Sequence, residues 1–375
     1  MKIAIVMPRG MRFGPEAATS IDLCVRDAVW ESRFHETTTV ICEEVAQPFP
    51  GFKLKTYRKA SKITRIREIA GIVRALDPDL IVVQQHLPTA SALASKFPNY
   101  PVMLHKHNFV TTTSGFRRFR RYRELNKLAG ITFVSQAGLD RFALDYPKCR
   151  AAKFVALNGL PTQEWAEEAE KLNQIIAVGR IESRKGMVEI ADALARVLPD
   201  FPEWNAKIIG SMSDEEETNQ AFDTAVKGVE RLQRTGALSH REVVSAVCSS
   251  RIAVVNSREE AFGRVALEGM AGGAALVTTR VGGLREVVGD ACVPLLHGSS
   301  DEIETGLRAL MTDPHRCDRL AEEGRERFQN NFTIKHTASS LDDAYEELTH
   351  SRLDSVASYA TSREAQIGNR SPSRP

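Results

Sequence analysis

Two glutamates eight positions apart, Glu260 and Glu268, enclose a Phe-Gly pair within the stretch Ser257 to Gly273. The run Ile252 to Val255 before them is apolar and β-branched, as a buried parallel strand would be, and a helical pattern begins near Arg264. The stretch therefore reads as a strand-loop-helix junction. In an open α/β sheet such a loop lies at the carboxyl end of its strand, where ligands bind, and the helix start turns unpaired N–H groups toward an anion. A loop carboxylate and a second one about one turn into the helix suit a polyhydroxylated molecule that carries phosphate. A second junction, Val178 to Gly186, offers Arg180 and Lys185. Arg contacts phosphate oxygens in a planar, bidentate manner and Lys supplies a compact charge, so the two could neutralise a leaving diphosphate without a metal ion. Gly210 and the Gly282-Gly283 pair form turns after strands, as close backbone approach to a nucleotide requires.

These groups need rigid elements behind them. Strands are predicted at Ile3 to Met7, Thr38 to Cys42, Leu80 to Gln84, Val102 to His105 and Ile131 to Val134, and again at Gln174 to Val178, Ala206 to Ile209, Ile252 to Val255 and Ala275 to Thr278. Helical stretches separate them, among them Ala17 to Trp30, Ile63 to Leu76, Met187 to Val197, Asn219 to Gln233 and Arg241 to Val247. Alternation of this kind predicts parallel sheets covered on both faces. At 375 residues the chain exceeds what one core usually organises, and the second half repeats the architecture of the first without its sequence. The expected fold class is α/β, with two Rossmann-like doubly wound parallel-sheet domains facing a central cleft. The expected domains are 1–157, a linker at 158–164 where Asn158-Gly159-Leu160-Pro161 breaks the pattern ahead of a charged helical run from Trp165 to Leu172, and 165–332. A helix over 333–350 then closes the fold, and 351–375 reads as a disordered, Ser- and Arg-rich tail.

Composition narrows the class. A content of 42% hydrophobic and 26% charged residues is that of a globular protein, and a net charge of +2 gives no reason to expect nucleic acid. Six scattered cysteines without a Cys-x-x-Cys suggest neither a disulfide framework nor a zinc site, so a reduced, cytoplasmic setting is expected. The short apolar amino terminus does not fit a signal peptide, and no membrane span is expected. Asp77-Pro78-Asp79 has the Asp-x-Asp form of metal-dependent sugar transferases, but it precedes a strand and carries a proline, which predicts a turn. Phe116, Phe119, Tyr122 and Leu125 recur at spacing three with Arg117, Arg118, Arg120, Arg121 and Arg123 between them. The default reading is a core-facing aromatic stripe; the alternative is a surface helix, Phe116 to Arg123, touching anionic lipid.

Together, Val-Gly-Arg with Lys185-Gly186, Asn158-Gly159, Ile208-Ile209-Gly210, the Glu260-x-Phe262-Gly263 and Glu268-x-Met270-Ala271 element, and Gly282-Gly283-Leu284-x-Glu286-Val287-Val288 resemble the family 4 retaining glycosyltransferases of the GT-B fold, of the bacterial cell-surface polysaccharide and lipopolysaccharide type. The likeness extends over roughly residues 1 to 350 and is looser in the first half. The resemblance implies a nucleotide-diphosphate sugar as co-substrate held mainly by the second domain and an acceptor held mainly by the first, with no metal expected. The cytoplasmic setting, the lack of a span and the arginine-aromatic helix at Phe116 suggest a glycolipid or saccharide acceptor at the inner membrane, reached by a peripheral cytoplasmic enzyme. It assigns the donor sugar to Glu260, the ribose hydroxyls to Glu268, the diphosphate to Arg180 and Lys185, and phosphate to the backbone amides of Arg264 and Val265 after Gly263. His107 matches the family histidine near the reacting carbon, with His105 its rival. Gly14 is the first-loop candidate for donor phosphate, beside Pro15, which has no N–H to give. Two other readings stand beside a transferase: a nucleotide-sugar epimerase of the same fold, and a non-catalytic nucleotide-sugar binder.

Overall fold

The computed structural model describes residues 1–16, 18–58, 61–165 and 169–350. Two parallel sheets organise them. The first contains β1 (Ile3–Val6), β2 (Thr38–Glu43), β3 (Lys53–Tyr57), β4 (Leu80–Gln84), β5 (Val102–Lys106), β6 (Gly130–Phe133) and β7 (Ala152–Val155), in the order β3-β2-β1-β4-β5-β6-β7. The second contains β8 (Leu172–Val178), β9 (Asn205–Ile209), β10 (Leu232–Gly236), β11 (Ser250–Val255), β12 (Ala275–Thr279) and β13 (Val293–Leu295), in the order β10-β9-β8-β11-β12-β13. Each order reverses once, between β1 and β4 and between β8 and β11. Such reversals open a crevice at the carboxyl ends of the strands, where the connections diverge to opposite faces.

Both sheets are buried on both sides because helices cover both. Along β1, Ile3 and Ile5 join one apolar cluster while Ala4 and Val6 join the other, and along β11 Ile252 and Val254 alternate with Ala253 and Val255 in the same way. Nine of the strands were expected, and each is found with ends displaced by two residues at most. The helix Ser20–Glu31 starts behind a capping box in which the Thr19 side chain accepts from the Asp22 N–H and the Asp22 carboxylate accepts the Thr19 N–H at 2.9 Å, a device that contributes about 1 kcal/mol.

Three expectations are corrected and a fourth holds. The helix expected over Asn219 to Gln233 is Glu216–Val226, and Leu232 already belongs to β10. The charged run from Trp165 ends in strand, since Leu172 opens β8, and Thr162–Trp165 is a single 3-10 turn. In the stripe of helix Gly115–Leu125, Leu125 is fully buried but Phe119 is 59% and Phe116 80% exposed, so a core-facing stripe is not what forms. The geometry explains this: steps of three residues fall about 60° short of a full turn each, and over three steps the row rotates from the core face to solvent. Asp77-Pro78-Asp79 is the turn expected: Asp77 closes the helix Lys62–Leu76 at φ 46° and Asp79 Oδ2 accepts the Lys2 N–H at 2.7 Å, at the amino end of β4.

The chain crosses between the domains twice, side by side. Leu160 N–H bonds to Phe332 O at 3.0 Å and Ile334 N–H to Leu160 O at 2.9 Å. Residues 334–350 then form a helix that returns to the first domain, burying Leu341, Ala344, Tyr345 and Leu348 against Ile3, Ile5 and Val25. The closing helix thus belongs to the core opposite the one it follows in sequence. The tail expected over 351–375 lies outside the described residues. Among those described, no helix is long and apolar enough to cross a membrane.

Candidate active site

The loops after β8 and β11 flank the crevice of the second sheet. They meet through Lys185 and Glu260, whose Nζ and Oε2 lie 2.6 Å apart with both side chains 19% exposed. Backbone and buried side chains fix this approach. Arg258 N–H donates to Arg184 O at 2.8 Å, and the buried Asn256 Nδ2 donates to Gly298 O at 2.9 Å and reaches Gly186 O at 3.4 Å. Gly186 adopts φ 61°, and a Cβ there would strike the Asn256 side chain. Ser257 Oγ donates to Glu260 Oε2 at 3.3 Å, while Gly283 N–H holds Glu260 O at 3.0 Å. A side chain at Gly282 would meet the Glu260 carbonyl, which is the physical reason for the glycine pair.

Arg180 extends from the same β8 loop, 61% exposed, and pairs at 2.6 Å with the buried Glu182, whose other oxygen faces Arg184 Nε at 2.6 Å. Gly210, at the end of β9, sits against Gly179, where a Cβ would strike the Gly179 carbonyl. The helix Arg264–Ala271 follows Gly263 at φ 109°, and its first backbone bond is Leu267 N–H to Gly263 O, so the amides of Arg264 and Val265 precede the ladder. Glu268 is 8% exposed and accepts from Arg264 Nε at 2.9 Å. Sequence reasoning used only the Arg264 amide. Its guanidinium crosses into the first domain and reaches Cys24 Sγ at 3.2 Å, on the helix Ser20–Glu31.

From the first domain the loop after β5 presses toward this site, with Phe109 packed on the core of the second domain and next to Gly282. His107 stands at its start. Gln84 Oε1 lies 2.8 Å from His107 Nε2, and Gln85 Oε1 accepts the His107 N–H at 3.0 Å. His105 shares its face as expected, with the two rings parallel and 4.5 Å apart, but His105 is the deeper of the two, 4% exposed. Burial brings His105 down to about 4, and burial, then His105, Lys106 and Arg264 hold His107 well below the usual imidazole range. Both rings are therefore neutral at neutral pH. Gly14 is buried against the Gln47 carbonyl beside Phe13, which has φ 39°. Ser135 Oγ to Ala261 O at 2.6 Å, and Glu286 accepting the Gln136 and Ala137 N–H groups at 2.8 and 2.6 Å, join the domains around the cleft.

The two histidines set an acid limit to stability. Each binds a proton when unfolded near pH 6.5 and resists it when folded, so the unfolded chain takes up more protons and stability falls as pH drops below about 6.5. The expected slope is about 1.4 kcal/mol per pH unit for each ring. Thermal unfolding followed from pH 7 to 5 checks it, and His105→Gln should flatten the dependence.

The site includes residues that sequence reading missed: Asn256, Ser257, Glu182, Gln84 and Gln85. Only strand-end position could have pointed to Asn256, Gln84 and Gln85, whose partners lie far along the chain; Glu182 and Ser257 act on neighbours within their own loops, Arg180, Arg184 and Glu260. What the arrangement offers is a crevice with two carboxylates, two ion-paired cations and a helix start on one side, and a neutral histidine on the other.

Comparisons with known proteins agree with this geometry. Residues 162–327 match the family model described as glycosyl transferases group 1. The chain is 29% identical over 201 residues to a glycogen synthase of Mycobacterium tuberculosis, covering 51% of this chain and 47% of that protein. It spans about half the length of the curated relatives it matches. Among solved structures, a sucrose-phosphate synthase from Thermosynechococcus elongatus superposes with a TM-score of 0.75 at 16% identity, over 94% of this chain and 100% of the other. Anabaena HepE, solved in complex with UDP and glucose, gives 0.75 at 15% identity over 92% of this chain and 100% of the other. Residues 162–327 are thus a group 1 glycosyl transferase domain, set within a two-domain GT-B fold.

Proposed function

We propose that the chain is a retaining glycosyltransferase that moves a sugar from a nucleoside-diphosphate sugar to an acceptor hydroxyl, in building a lipopolysaccharide core or exopolysaccharide. The observation that carries this reading is the Lys185–Glu260 pair at the switch-point crevice, with Glu268 on the adjoining helix. The solved HepE complex, which holds UDP and glucose on the same fold, supports a donor of this class.

Each charge has a use in that reaction. As the bond from the anomeric carbon to the diphosphate oxygen breaks, positive charge gathers on the sugar and negative charge on the diphosphate. Lys185 passes from Glu260 to the diphosphate, joined by Arg180 and the amides of Arg264 and Val265, and this stabilisation is the largest catalytic term. These cations supply the charge that a metal would otherwise bring. Glu260, released, accepts sugar hydroxyls, and Glu268 accepts the ribose hydroxyls. The acceptor oxygen bonds to the anomeric carbon on the face the diphosphate leaves, and the acceptor proton passes to a diphosphate oxygen. His107, neutral and held by Gln84, hydrogen-bonds to the sugar without adding charge of its own.

The acceptor is a glycolipid or saccharide bound by the first domain, and the enzyme works as a cytoplasmic protein peripheral at the inner membrane. The exposed Phe116 and Phe119, set among the arginines of helix Gly115–Leu125, support contact with anionic lipid. A panel of UDP-, GDP- and ADP-sugars tests the donor reading. One donor should release free nucleoside diphosphate slowly in water and faster with a saccharide acceptor. Release from none would overturn the reading.

A further inference from the structure

The Arg264 side chain lies across the boundary between the domains, 13% exposed, and its three nitrogens are served unequally. Nε donates to Glu268 Oε1 at 2.9 Å, one turn along the same helix. Nη1 reaches Cys24 Sγ of the first-domain helix Ser20–Glu31 at 3.2 Å, and Nη2 is buried with no hydrogen-bond partner among the described residues. Burial holds the Cys24 thiol above its usual range, so it is uncharged and a weak acceptor. Taking a guanidinium out of water is costly unless its N–H groups are paired. Arg264 therefore leans on one carboxylate, Glu268, and is short of a second.

That second carboxylate stands one turn from Cys24. Asp27 follows Cys24 on the same helix at a spacing that puts the two side chains on one face. It is 4% exposed; Oδ1 takes Arg26 Nε at 2.5 Å, and Oδ2 is buried with no partner. Arg26 is fixed in turn by Glu164 of the linker, Nη2 to Oε1 at 2.9 Å, and Glu164 Oε2 lies 3.1 Å from His240 Nε2 of the second domain. Asp27 is thus anchored from behind. An unpaired donor in one domain and an unpaired acceptor in the other flank the Arg264–Cys24 contact. Cys24 also lines one cavity with Gln84, His105, His107 and Asn158, so this boundary reaches the candidate site.

We propose that Arg264 is a positioning residue for the donor: it fixes Glu268 to receive the ribose hydroxyls, and the first-domain helix sets it through Cys24 and Asp27. The proposal rests on the assignment of Glu268 to the ribose and adds what orients that carboxylate. Arg264 takes Oε1, which leaves Oε2 for the hydroxyls. A small approach of the domains joins Nη2 to Asp27 Oδ2, gives the guanidinium its second carboxylate and stiffens the Glu268 side chain. Recognition of the ribose in the second domain thus depends on a helix of the first.

The test is a calorimetric titration of UDP, GDP and ADP, each beside its dideoxyribose analogue, into the full chain. The chain should hold the natural form of its own nucleotide about tenfold more tightly than the analogue, the worth of one charged hydrogen bond. Arg264→Gln should bring that ratio to about threefold or less, by weakening the natural form and leaving the analogue nearly unchanged. Asp27→Asn, in the other domain, should lower the ratio part of the way, to about fivefold. A merely structural role for Arg264 would weaken both forms alike and leave the ratio where it began. Arg264→Lys keeps the charge but loses the planar fork, so it should fall between, and it carries the test where the Gln variant does not fold. A ratio unchanged in the Arg264 variants or in Asp27→Asn overturns the proposal. Glu268→Gln separates that failure from failure of the underlying reading. A ratio kept in Glu268→Gln removes Glu268 from the ribose, whereas a ratio lost there and kept in Arg264→Gln removes only the part given to Arg264. Binding of none of the three nucleotides overturns the donor reading and the proposal with it.

Discussion

Glu260→Ala is expected to reduce sugar transfer by about three orders of magnitude in kcat, the scale found when a group aimed at transition-state charge is removed. Affinity for the free nucleoside diphosphate should change by no more than about threefold, because the lost group meets the sugar and not the nucleotide. The structure adds a reason for that asymmetry. Glu260 holds Lys185 at 2.6 Å, and without the carboxylate the ammonium is free to meet the diphosphate. Nucleotide binding is thus preserved or slightly strengthened. Equal loss of transfer and nucleotide binding would place Glu260 on the nucleotide and contradict its assignment to the sugar.

The second large effect belongs to Lys185. Lys185→Met should weaken nucleoside-diphosphate binding by about tenfold to a hundredfold, the loss of one charged hydrogen bond of about 1.5–3 kcal/mol. It should also slow transfer a further hundredfold or so, since the charge it meets grows as the bond breaks. Arg180→Met should cost less, because its side chain is 61% exposed and already shared with Glu182. Coupling distinguishes a working pair from two independent residues. In the Lys185→Met, Glu260→Ala double variant the losses should fall short of additive, since each single change leaves the other partner unpaired. Nucleotide titration and single-turnover rates on the four proteins supply the cycle.

These expectations show how far local sequence reaches. Strands buried on both faces, such as Leu80–Gln84 with every residue inside, are continuous apolar runs and were legible. The strands at the sheet edges were not. Lys53–Tyr57 and Leu232–Gly236 are rich in polar residues on open flanks, so their patterns resemble surface helix or loop, and Val293–Leu295 is too short to show a period. The stripe in helix Gly115–Leu125 misled for a different reason: spacing three looks like a face but winds around the helix, which leaves Phe116 in solvent.

The candidate site divides along the same line. Glu260, Gly263, Arg264 and Glu268 lie within one junction, so their spacing alone suggested a common ligand. Lys185 was legible as a cation but not as the partner of Glu260, since 75 positions separate them and Asn256, Gly186 and the Arg258–Arg184 backbone bond create the meeting. Gln84 meets His107 because β4 and β5 pair side by side, which sets its side-chain amide oxygen on the ring. The guanidinium of Arg264 reaches Cys24 from the other domain. No pattern in a single stretch encodes such a contact, because closure of two domains makes it.

The measurement that bears most directly on the whole account is the configuration of the anomeric proton, followed by NMR while the full chain consumes its nucleoside-diphosphate sugar. An axially linked donor sugar should appear first in a product of the same configuration, together with an equal amount of free nucleoside diphosphate. A product of inverted configuration would contradict same-face attack, and a new nucleotide-sugar stereoisomer without free diphosphate would contradict transfer itself.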